Sequence, residues 1–298
     1  MQVEVLPDEV FGEVSLATGA ALSDVTYVSG ASVFGNNPAV WSSAGDGVWK
    51  EHPIEPQPGM WGVIDGIVEC DGDLVFTGHY SASNQVLDYN LWGFDESGSL
   101  VTLFSGGGGP PGSGTPPPAV YCHDGNFMAL VTYGREPVAN GDFTYYNEIW
   151  SSPTGSDWSL VATDTIRPAI RPRAGVGVVR SGSAFWVVSA GVDGDIATSS
   201  DGVRWTWIDR EAAGFEPDDW IDTMGGGGLG LLVVGNDDNG DPVMWWTPDG
   251  RNWERIDDHP ALDQWGVEIL VPGTELIIAV RRSFEEGAPA MWFYFPAG

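Results

Sequence analysis

A short motif that ends in tryptophan recurs about every 50 residues, and this repeat constrains the fold more than any other feature of the chain. Each full copy has an apolar run, one or two small hydroxyl residues, a turn containing glycine and usually aspartate, and then tryptophan. In chain order, the copies are Ala39–Trp49, Leu91–Gly98 (weak), Glu148–Trp158, Ile196–Trp205, Val243–Trp253 and Pro289–Phe293 (truncated). A period of this length is typical of a four-stranded propeller blade.

Two further strand-like runs, separated by a glycine turn, precede the clearest copies. Before the copy at Val243 they are Ile221–Met224 and Leu229–Val234, and before the last copy they are Val267–Val271 and Glu275–Val280. Strands with almost unbroken apolar residues are buried on both faces, as happens when blades pack face to face. Each unit is therefore predicted to contain strands a, b and c, an acidic turn, and a strand d that opens on tryptophan.

The two ends of the chain complete this pattern. The last copy stops at Phe295–Gly298, where its turn and strand d are due, and Gln2–Leu6 looks like a strand that lacks a partner. We therefore predict an all-β fold, a six-bladed β-propeller of four-stranded antiparallel blades whose ring is closed by the N-terminal strand. The weak second copy leaves five or seven blades open. The prediction treats residues 1–298 as one domain, with blades at about 11–56, 57–104, 116–163, 168–211, 214–259, and 261–298 plus 1–8.

Two of the turns resemble the Asp box, or bacterial neuraminidase repeat, whose pattern is Ser-x-Asp-x-Gly-x-Thr-Trp. Both have a shortened form that lacks one residue between aspartate and glycine. The matching residues are Ser199, Asp201, Gly202 and Trp205 in one turn, and Thr247, Asp249, Gly250 and Trp253 in the other. The resemblance implies an Asp-box propeller of the sialidase and sortilin-like kind. It also implies that these residues stabilise turns on the face opposite an active site, because short polar side chains bind the amides of a tight turn.

Sialidase chemistry would require more than these turns. The resemblance implies three arginines that grip a carboxylate, a Tyr–Glu nucleophile pair and an acidic aspartate, usually with an Arg-Ile-Pro motif in the first blade. The first blade here contains no arginine, and Ile166-Arg167-Pro168 reverses the order of the motif midway along the chain. We therefore assign no catalytic residues and predict a non-enzymatic binding or scaffold propeller with a protein or glycan partner. A glycan-processing hydrolase of sialidase-like type is the alternative.

The b–c and d–a loops are the expected binding face of such a propeller. One candidate group there consists of Arg135, Tyr145 and Tyr146. Exposed aromatic rings beside a charge suit sugar rings or peptide backbones. The opposing interpretation is that the two tyrosines begin strand c and that one of them is buried.

Arginines form the second candidate group, in a chain that has 12 basic residues in all. Arg167, Arg171 and Arg173 lie within one short proline-containing segment, and Arg281 and Arg282 end another strand b. Such groups can bind a carboxylate, sulfate or phosphate in fork geometry. They can equally pair with the acidic surface around them.

Acidic residues outnumber basic ones by 42 to 12, which gives a formal net charge of −30. This charge argues against nucleic acid and anionic membrane surfaces as partners. The acidic residues either solvate the surface or bind cations. For the second interpretation, the oxygen-rich loops with Asp193, Asp195, Asp237, Asp238 and Asp241 are candidate calcium sites, although such residues are also ordinary in hairpins. No other cofactor is expected.

Cys70 and Cys122 are the two cysteines of the chain. They lie at the same place in consecutive blades, and because adjacent blades fan apart, we predict two free, mostly buried thiols. Residues 1–10 show neither a basic start nor a long apolar run, so no signal peptide is visible. An extracellular or cell-surface location is expected if such a peptide has been removed, and the protein is expected to be a monomer without membrane insertion.

Overall fold

The computed structural model describes most of the chain. The described residues are 3–5, 14–22, 25–32, 38–44, 48–55, 59–82, 85–106, 119–137, 143–163, 166, 170, 177–189, 196–216, 218–227, 230–257, 267–271, 276–280 and 291–295. Within these ranges no residue is helical, so no helix long and apolar enough to cross a membrane is found there.

Strands within the described residues form four-stranded antiparallel sheets, numbered here by their place in the chain. Sheet 1 contains β2 (Val14–Leu22), β3 (Val25–Ser32), β4 (Pro38–Ser43) and β5 (Lys50–Pro53). Sheet 2 contains β6 (Trp61–Cys70), β7 (Asp73–Ala82), β8 (Gln85–Phe94) and β9 (Leu100–Gly106). Sheet 3 contains β10 (Ala119–His123), β11 (Asn126–Pro137), β12 (Phe143–Ser152) and β13 (Ser159–Thr163).

The remaining strands form three further sheets of the same kind. Sheet 4 contains β14 (Val179–Ser181), β15 (Ala184–Val188), β16 (Ile196–Ser199) and β17 (Thr206–Trp207). Sheet 5 contains β18 (Trp220–Gly227), β19 (Gly230–Asn236), β20 (Pro242–Thr247) and β21 (Glu254–Ile256). Sheet 6 contains β22 (Val267–Val271), β23 (Leu276–Val280), β24 (Met291–Phe295) and the N-terminal strand β1 (Val3–Val5).

In each sheet, strands that follow one another in the chain pair with one another, and in Sheet 6 the N-terminal strand β1 is added beside β24. The first strands of Sheets 1 and 2, 2 and 3, 4 and 5, 5 and 6, and 6 and 1 contact one another. Between consecutive sheets from Sheet 1 to Sheet 5 lie four apolar cores, with Phe76, Phe127, Phe185 and Trp245 among their buried residues. Face-to-face burial of this kind matches the apolar strands in the sequence and makes the chain an all-β propeller.

The N-terminal strand pairs with the last strand of the chain. In β1, Val3 pairs with Phe293 and Val5 with Met291 in antiparallel register. This pairing confirms the prediction that the N-terminal strand joins the final sheet. β1 is therefore the fourth strand of the last sheet, and it covers the edge of β24.

The prediction of two free cysteines is wrong. Cys70 and Cys122 form a disulfide, with Cα atoms 5.1 Å apart. The error lay in treating whole blades as diverging units. Cys70 ends β6 and Cys122 is in β10, and these two strands, the first of adjacent sheets, contact each other. Their separation lies within the range that a disulfide spans.

Candidate functional site

The sheets divide the molecule into two faces. One end carries the a–b and c–d turns, such as residues 71–72, 124–125, 200–205 and 248–253, and is called the turn face here. The opposite end carries the b–c and d–a loops, such as residues 237–241 and 208–219, and is called the loop face. Asp71 and Asp124 adopt positive φ angles of 52° and 49°, each followed by a glycine of positive φ, which is the geometry of a tight two-residue hairpin.

On the turn face, Asp201 is bound to the backbone of its own turn. Its Oδ1 accepts hydrogen bonds from the amides of Val203 at 3.0 Å and Arg204 at 2.7 Å, and the Arg204 guanidinium lies 2.8 Å from Oδ2. Ser199 lies 3.1 Å away through its Oγ. Burial raises the pKa of Asp201, but these hydrogen bonds outweigh it, so that the pKa lies well below its ordinary value.

Asp249 repeats this arrangement in Sheet 5. Its Oδ1 accepts from the amides of Arg251 at 2.9 Å and Asn252 at 3.0 Å, while the Thr247 hydroxyl lies 3.2 Å away. The amide of Asn252 is the main cause that lowers the pKa of Asp249 to about 2. Both aspartates are therefore occupied by their turns, which is the bonding that a structural role requires.

The glycine of each turn packs against the preceding sheet. A Cβ on Gly250 would lie 2.1 Å from Cζ2 of Trp186 in Sheet 4, and one on Gly202 would lie 3.1 Å from Cε2 of Tyr121 in Sheet 3. Tyr121 also donates a hydrogen bond from its hydroxyl to the Gly202 carbonyl. Close packing therefore disfavours a side chain at Gly250 most strongly, and the positive φ angles of 71° at Gly250 and 66° at Gly202 favour glycine at both positions. Gly202 and Gly250, both predicted as Asp-box residues, therefore form part of the packing contact between adjacent sheets.

The tryptophans that end these turns lie at the same junctions. Trp205 is buried between Sheets 3 and 4, with its ring 6.1 Å from that of Tyr121. Trp253 packs 6.3 Å from Trp186, between Sheets 4 and 5. Their role in the described structure is packing between sheets.

On the loop face, the 237–241 loop is closed by its own hydrogen bonds. Asp237 accepts from the amides of Asn239 and Asp241, both at 2.9 Å, and Asp238 accepts from the Asn239 side chain at 2.8 Å. The amide of Asp241 is the main cause that lowers the pKa of Asp237. Across the described residues, no group of three or more His, Cys, Asp or Glu side chains is arranged to hold a metal ion. Asp193 and Asp195 lie outside the described residues, and calcium binding stays a prediction.

The aromatic candidates lie in the long b–c hairpin of Sheet 3. Arg135 falls at a β-bulge between Gly134 and Glu136, and Tyr145 pairs with Gly134; only their backbones are described. Tyr146 is half-buried and packs against the core between Sheets 2 and 3. Of these three candidates, Tyr146 is therefore the one whose side chain is described as packed against the core.

Arg167, Arg171 and Arg173 lie outside the described residues, whereas Ile166 and Ile170, next to Arg167 and Arg171 in sequence, are described. Ile166 and Ile170 are both buried between Sheets 3 and 4. The side chain of Asn147 accepts from the Ile170 amide at 2.8 Å and donates to the Ile170 carbonyl at 2.7 Å. Asn147 thus holds the backbone of Ile170 as a neighbouring strand would. Arg281 and Arg282 also lie outside the described residues.

Polar contacts hold residues 208–216, 218 and 219, which precede Sheet 5 on the loop face. The Asp219 side chain is 0% exposed, accepts from the Glu216 amide at 2.7 Å and lies 3.4 Å from the Arg255 guanidinium. Arg210 donates to the carbonyls of Glu216 and Asp219, both at 2.9 Å. The hydrogen bond that the Arg255 guanidinium donates to Asp257 is the main cause that raises the pKa of Arg255. The segment is therefore held by buried and partly buried polar contacts on two sides.

Trp220 follows this segment directly and is 43% exposed. Its Nε1 donates to Oδ1 of Asp222 at 3.1 Å, and Oδ2 of Asp222 accepts from the Asn236 side chain at 2.7 Å. Asp222 is the extra residue of a β-bulge in β18, between Ile221 and Thr223. These three polar and aromatic side chains converge at the loop-face end of Sheet 5.

Sequence reasoning missed Trp220, Asp222, Asn236 and Asn147. One signal was available, because a tryptophan begins the first strand of both Sheet 2 and Sheet 5, at Trp61 and Trp220. The partners of Asn147 and Asp222 depend on contacts between residues distant in sequence, which carry no local pattern.

No protein-family model matches the sequence, and no curated protein sequence matches it either. Among solved structures, a lectin from Aleuria aurantia, described as a six-bladed β-propeller that recognises fucose, matches with a TM-score of 0.54 and 11% identity, over 97% of this chain and 98% of the lectin. A mutant of the same lectin in complex with Fucα1-6GlcNAc gives a TM-score of 0.56 at 11% identity, over 97% of this chain and 98% of that one.

A sialidase is also similar in structure. The Trypanosoma rangeli sialidase in complex with the inhibitor DANA matches with a TM-score of 0.59 and 12% identity, over 95% of this chain. The match covers 55% of the sialidase, so this chain spans about half of its length. At such low identity, these likenesses show the β-propeller fold alone.

Proposed function

We propose that the chain is a six-bladed propeller of Asp-box type that binds a glycan or protein partner through its loop face and carries out no catalysis. The observation that carries this proposal is the hydrogen bonding of the Ile170 backbone by the Asn147 side chain. Ile166 and Ile170 are both buried, and Arg167 and Arg171 are their neighbours in sequence. Loops that recognise ligands need such rigid support.

A further observation supports a glycan partner. The lectin likeness covers nearly all of both chains and favours a glycan over a protein as the partner.

The disulfide bears on where such a protein works. Disulfides form and persist in oxidising compartments, so the bond between Cys70 and Cys122 supports an extracellular or cell-surface location. A monomer is proposed as the working form, because the pairing of β1 with β24 covers a strand edge that could otherwise pair with a second copy.

The alternative is a glycan-processing hydrolase, which the sialidase likeness favours. A glycan microarray together with a panel of fluorogenic glycosides, including a sialoside, separates the two functions. We expect glycan binding without turnover. Sustained hydrolysis of any glycoside would show that the protein is an enzyme.

Two matched variants test where binding occurs. Arg171→Ala removes a positive charge from the arginine segment predicted from the sequence, whereas Arg251→Ala removes an exposed one from the turn face. For a ligand bound by the arginine segment, Arg171→Ala should weaken binding about tenfold or more, as the loss of a charge-assisted hydrogen bond does. Arg251→Ala should leave binding unchanged. Equal effects of the two variants would contradict the assignment to the loop face.

A further inference from the structure

Asn239 precedes a glycine at the tip of the 237–241 loop, and both residues are exposed. A Cβ on Gly240 would meet nothing within 4 Å, so the space beside the backbone is open there. An asparagine before a glycine is reactive, because the following backbone nitrogen can attack the side-chain amide with no side chain in its way. Asparagine is for such reasons one of the thermolabile residues of proteins.

The folded turn holds both reacting groups away from this reaction. The nucleophile is the backbone nitrogen of Gly240, which donates a hydrogen bond to the Asp237 carbonyl at 3.0 Å. The group that it attacks is the side-chain amide of Asn239, whose Nδ2 donates to Oδ1 of Asp238 at 2.8 Å. Both bonds must break before the nitrogen can reach the side chain, so the turn has to open first.

The Asp237 carboxylate keeps this turn closed. Its Oδ1 accepts from the backbone amides of Asn239 and Asp241, both at 2.9 Å, and its Oδ2 lies 3.8 Å from the Arg255 guanidinium. The backbone amide of Asp237 also donates to the Asp241 carbonyl at 2.9 Å. One side chain thus binds the turn to itself and lies beside strand d of Sheet 5.

We propose that Asn239 is a site of spontaneous deamidation and that the 237–241 turn determines its rate. When the turn opens, the Gly240 nitrogen loses its proton to solvent and forms a bond to Cγ of Asn239. The Cγ–Nδ2 bond breaks, the amide leaves as ammonia, and a five-membered succinimide remains. One water molecule then opens this ring at either carbonyl and gives aspartate or isoaspartate. In sum, asparagine and water become an acidic residue and ammonia, and no cofactor takes part.

The products change this part of the loop face in two ways. Both replace a neutral amide with a carboxylate beside Asp237 and Asp238, which adds repulsion between like charges. Isoaspartate also adds one carbon atom to the main chain of residue 239, so the backbone hydrogen bonds that span the turn no longer fit. Asp237 then loses the fixed position that brings its carboxylate near Arg255. The reaction requires no ligand and is therefore independent of the proposed binding function.

The test follows deamidation by peptide mapping during incubation in a mildly alkaline buffer. Asn140–Gly141, the other Asn–Gly pair of the sequence, lies outside the described residues, and Asn140→Gln removes it from every protein compared. We expect aspartate and isoaspartate at residue 239 in the folded protein. The same chain unfolded in guanidinium should form them about tenfold faster or more, because the folded turn must first lose its hydrogen bonds. Asn239→Gln, whose longer side chain does not form the five-membered ring, should remove the reaction.

Two matched variants test the control by the turn. Asp237→Ala removes the carboxylate that keeps the turn closed, whereas Asp257→Ala removes one that pairs with the same Arg255 guanidinium from the end of strand d. In the folded state, Asp237→Ala should deamidate about fivefold faster or more, as the loss of one net hydrogen bond predicts, and Asp257→Ala should match the parent. Both variants should react like the parent when unfolded. Circular dichroism shows that the folded forms are compared.

Each outcome supports or overturns the proposal. Slow deamidation of the folded parent, accelerated by Asp237→Ala alone, supports it. Equal rates for the folded and the unfolded parent, or for the two aspartate variants, overturn the control by the turn. An unmodified residue 239 in the folded parent after the unfolded chain has fully reacted overturns the site in the native protein. The comparison of folded with unfolded parent decides the question even if a variant fails to fold.

Discussion

Aspartates in the c–d turns act on the backbone of their own turn, and their charge is part of that action. Asp249 receives two amide hydrogen bonds and a third from the Asn252 side chain at 2.9 Å. Ionised carboxylates accept such bonds more strongly than neutral groups do. The turn is therefore coupled to the ionisation of one residue.

This coupling predicts a pH-dependent effect of Asp249→Asn. The folded state lowers the pKa of Asp249 from 3.8 to about 2, so the ionised form stabilises the fold fully above about pH 4. That contribution is lost as the pH falls through about 2. The melting temperature of the variant should lie below that of the parent at pH 7, and the two should converge near pH 2. Asp73→Asn, which alters an exposed aspartate on the same face, should follow the parent at every pH. A constant gap for Asp249→Asn would contradict the coupling.

Turn residues could be predicted from the sequence because their partners lie two or three positions away. Ser199, Asp201 and Arg204 interact within a single turn, so their spacing alone carries the information. Asn147 and Ile170 are 23 residues apart, and Arg255 and Asp219 are 36 apart. Nothing in the local pattern around these residues indicates that they meet, which is why these two contacts could not be predicted from the sequence.

At the scale of the element, the c–d turns of Sheets 4 and 5 each pack against the preceding sheet. Gly250 packs on Trp186 and Gly202 on Tyr121, while the tryptophans that end both turns fill the same interfaces. The repeat predicted a propeller because the turn motif recurs about every 50 residues, and in Sheets 4 and 5 the motif makes this contact. The disulfide could not be predicted from the repeat, because such a prediction needs the distance between two strands and the repeat shows only their order.

The disulfide should contribute strongly to stability because it closes a long loop. Cys70 and Cys122 are separated by 52 positions, and the chain-entropy model gives about 4 kcal/mol for such a loop. The double variant Cys70→Ser, Cys122→Ser should unfold at a lower guanidinium concentration than the parent. A reducing agent should destabilise the parent and leave the variant unchanged, which is the control. Thiol titration of the unfolded, unreduced parent should find no reactive group, and two reactive groups would refute the bond.

For the whole molecule, the net charge of −30 determines how stability responds to salt. Self-repulsion at low ionic strength costs stability, and screening recovers part of it. NaCl and CaCl₂ matched for ionic strength should raise the melting temperature nearly alike if the surface is merely acidic. A saturable rise specific to calcium, lost when Asp237, Asp238 and Asp241 are all replaced by Asn, would instead reveal a calcium site.

We expect the plain screening result, because the 237–241 loop already uses its carboxylates. Asp237 is bound to two amides of the loop and lies 3.8 Å from the Arg255 guanidinium. Calcium requires six to eight oxygen ligands, so it would have to displace these contacts and recruit others. A melting temperature that rises by several degrees with calcium and not with sodium would show that the loop rearranges to bind the metal.

Closure of the ring through β1 predicts that a few N-terminal residues matter to the entire fold. Val3–Val5 cover the edge of β24, and Sheet 6 in turn contacts both Sheet 5 and Sheet 1 through its first strand. Deleting residues 1–8 exposes that edge, so it should lower the melting temperature by about 5 °C or more and promote aggregation. Deleting residues 1–2 alone keeps β1 and is the control, with no expected change. An equal melting temperature for both deletions would mean that the last sheet is stable with three strands and that the ring does not depend on its N-terminal strand.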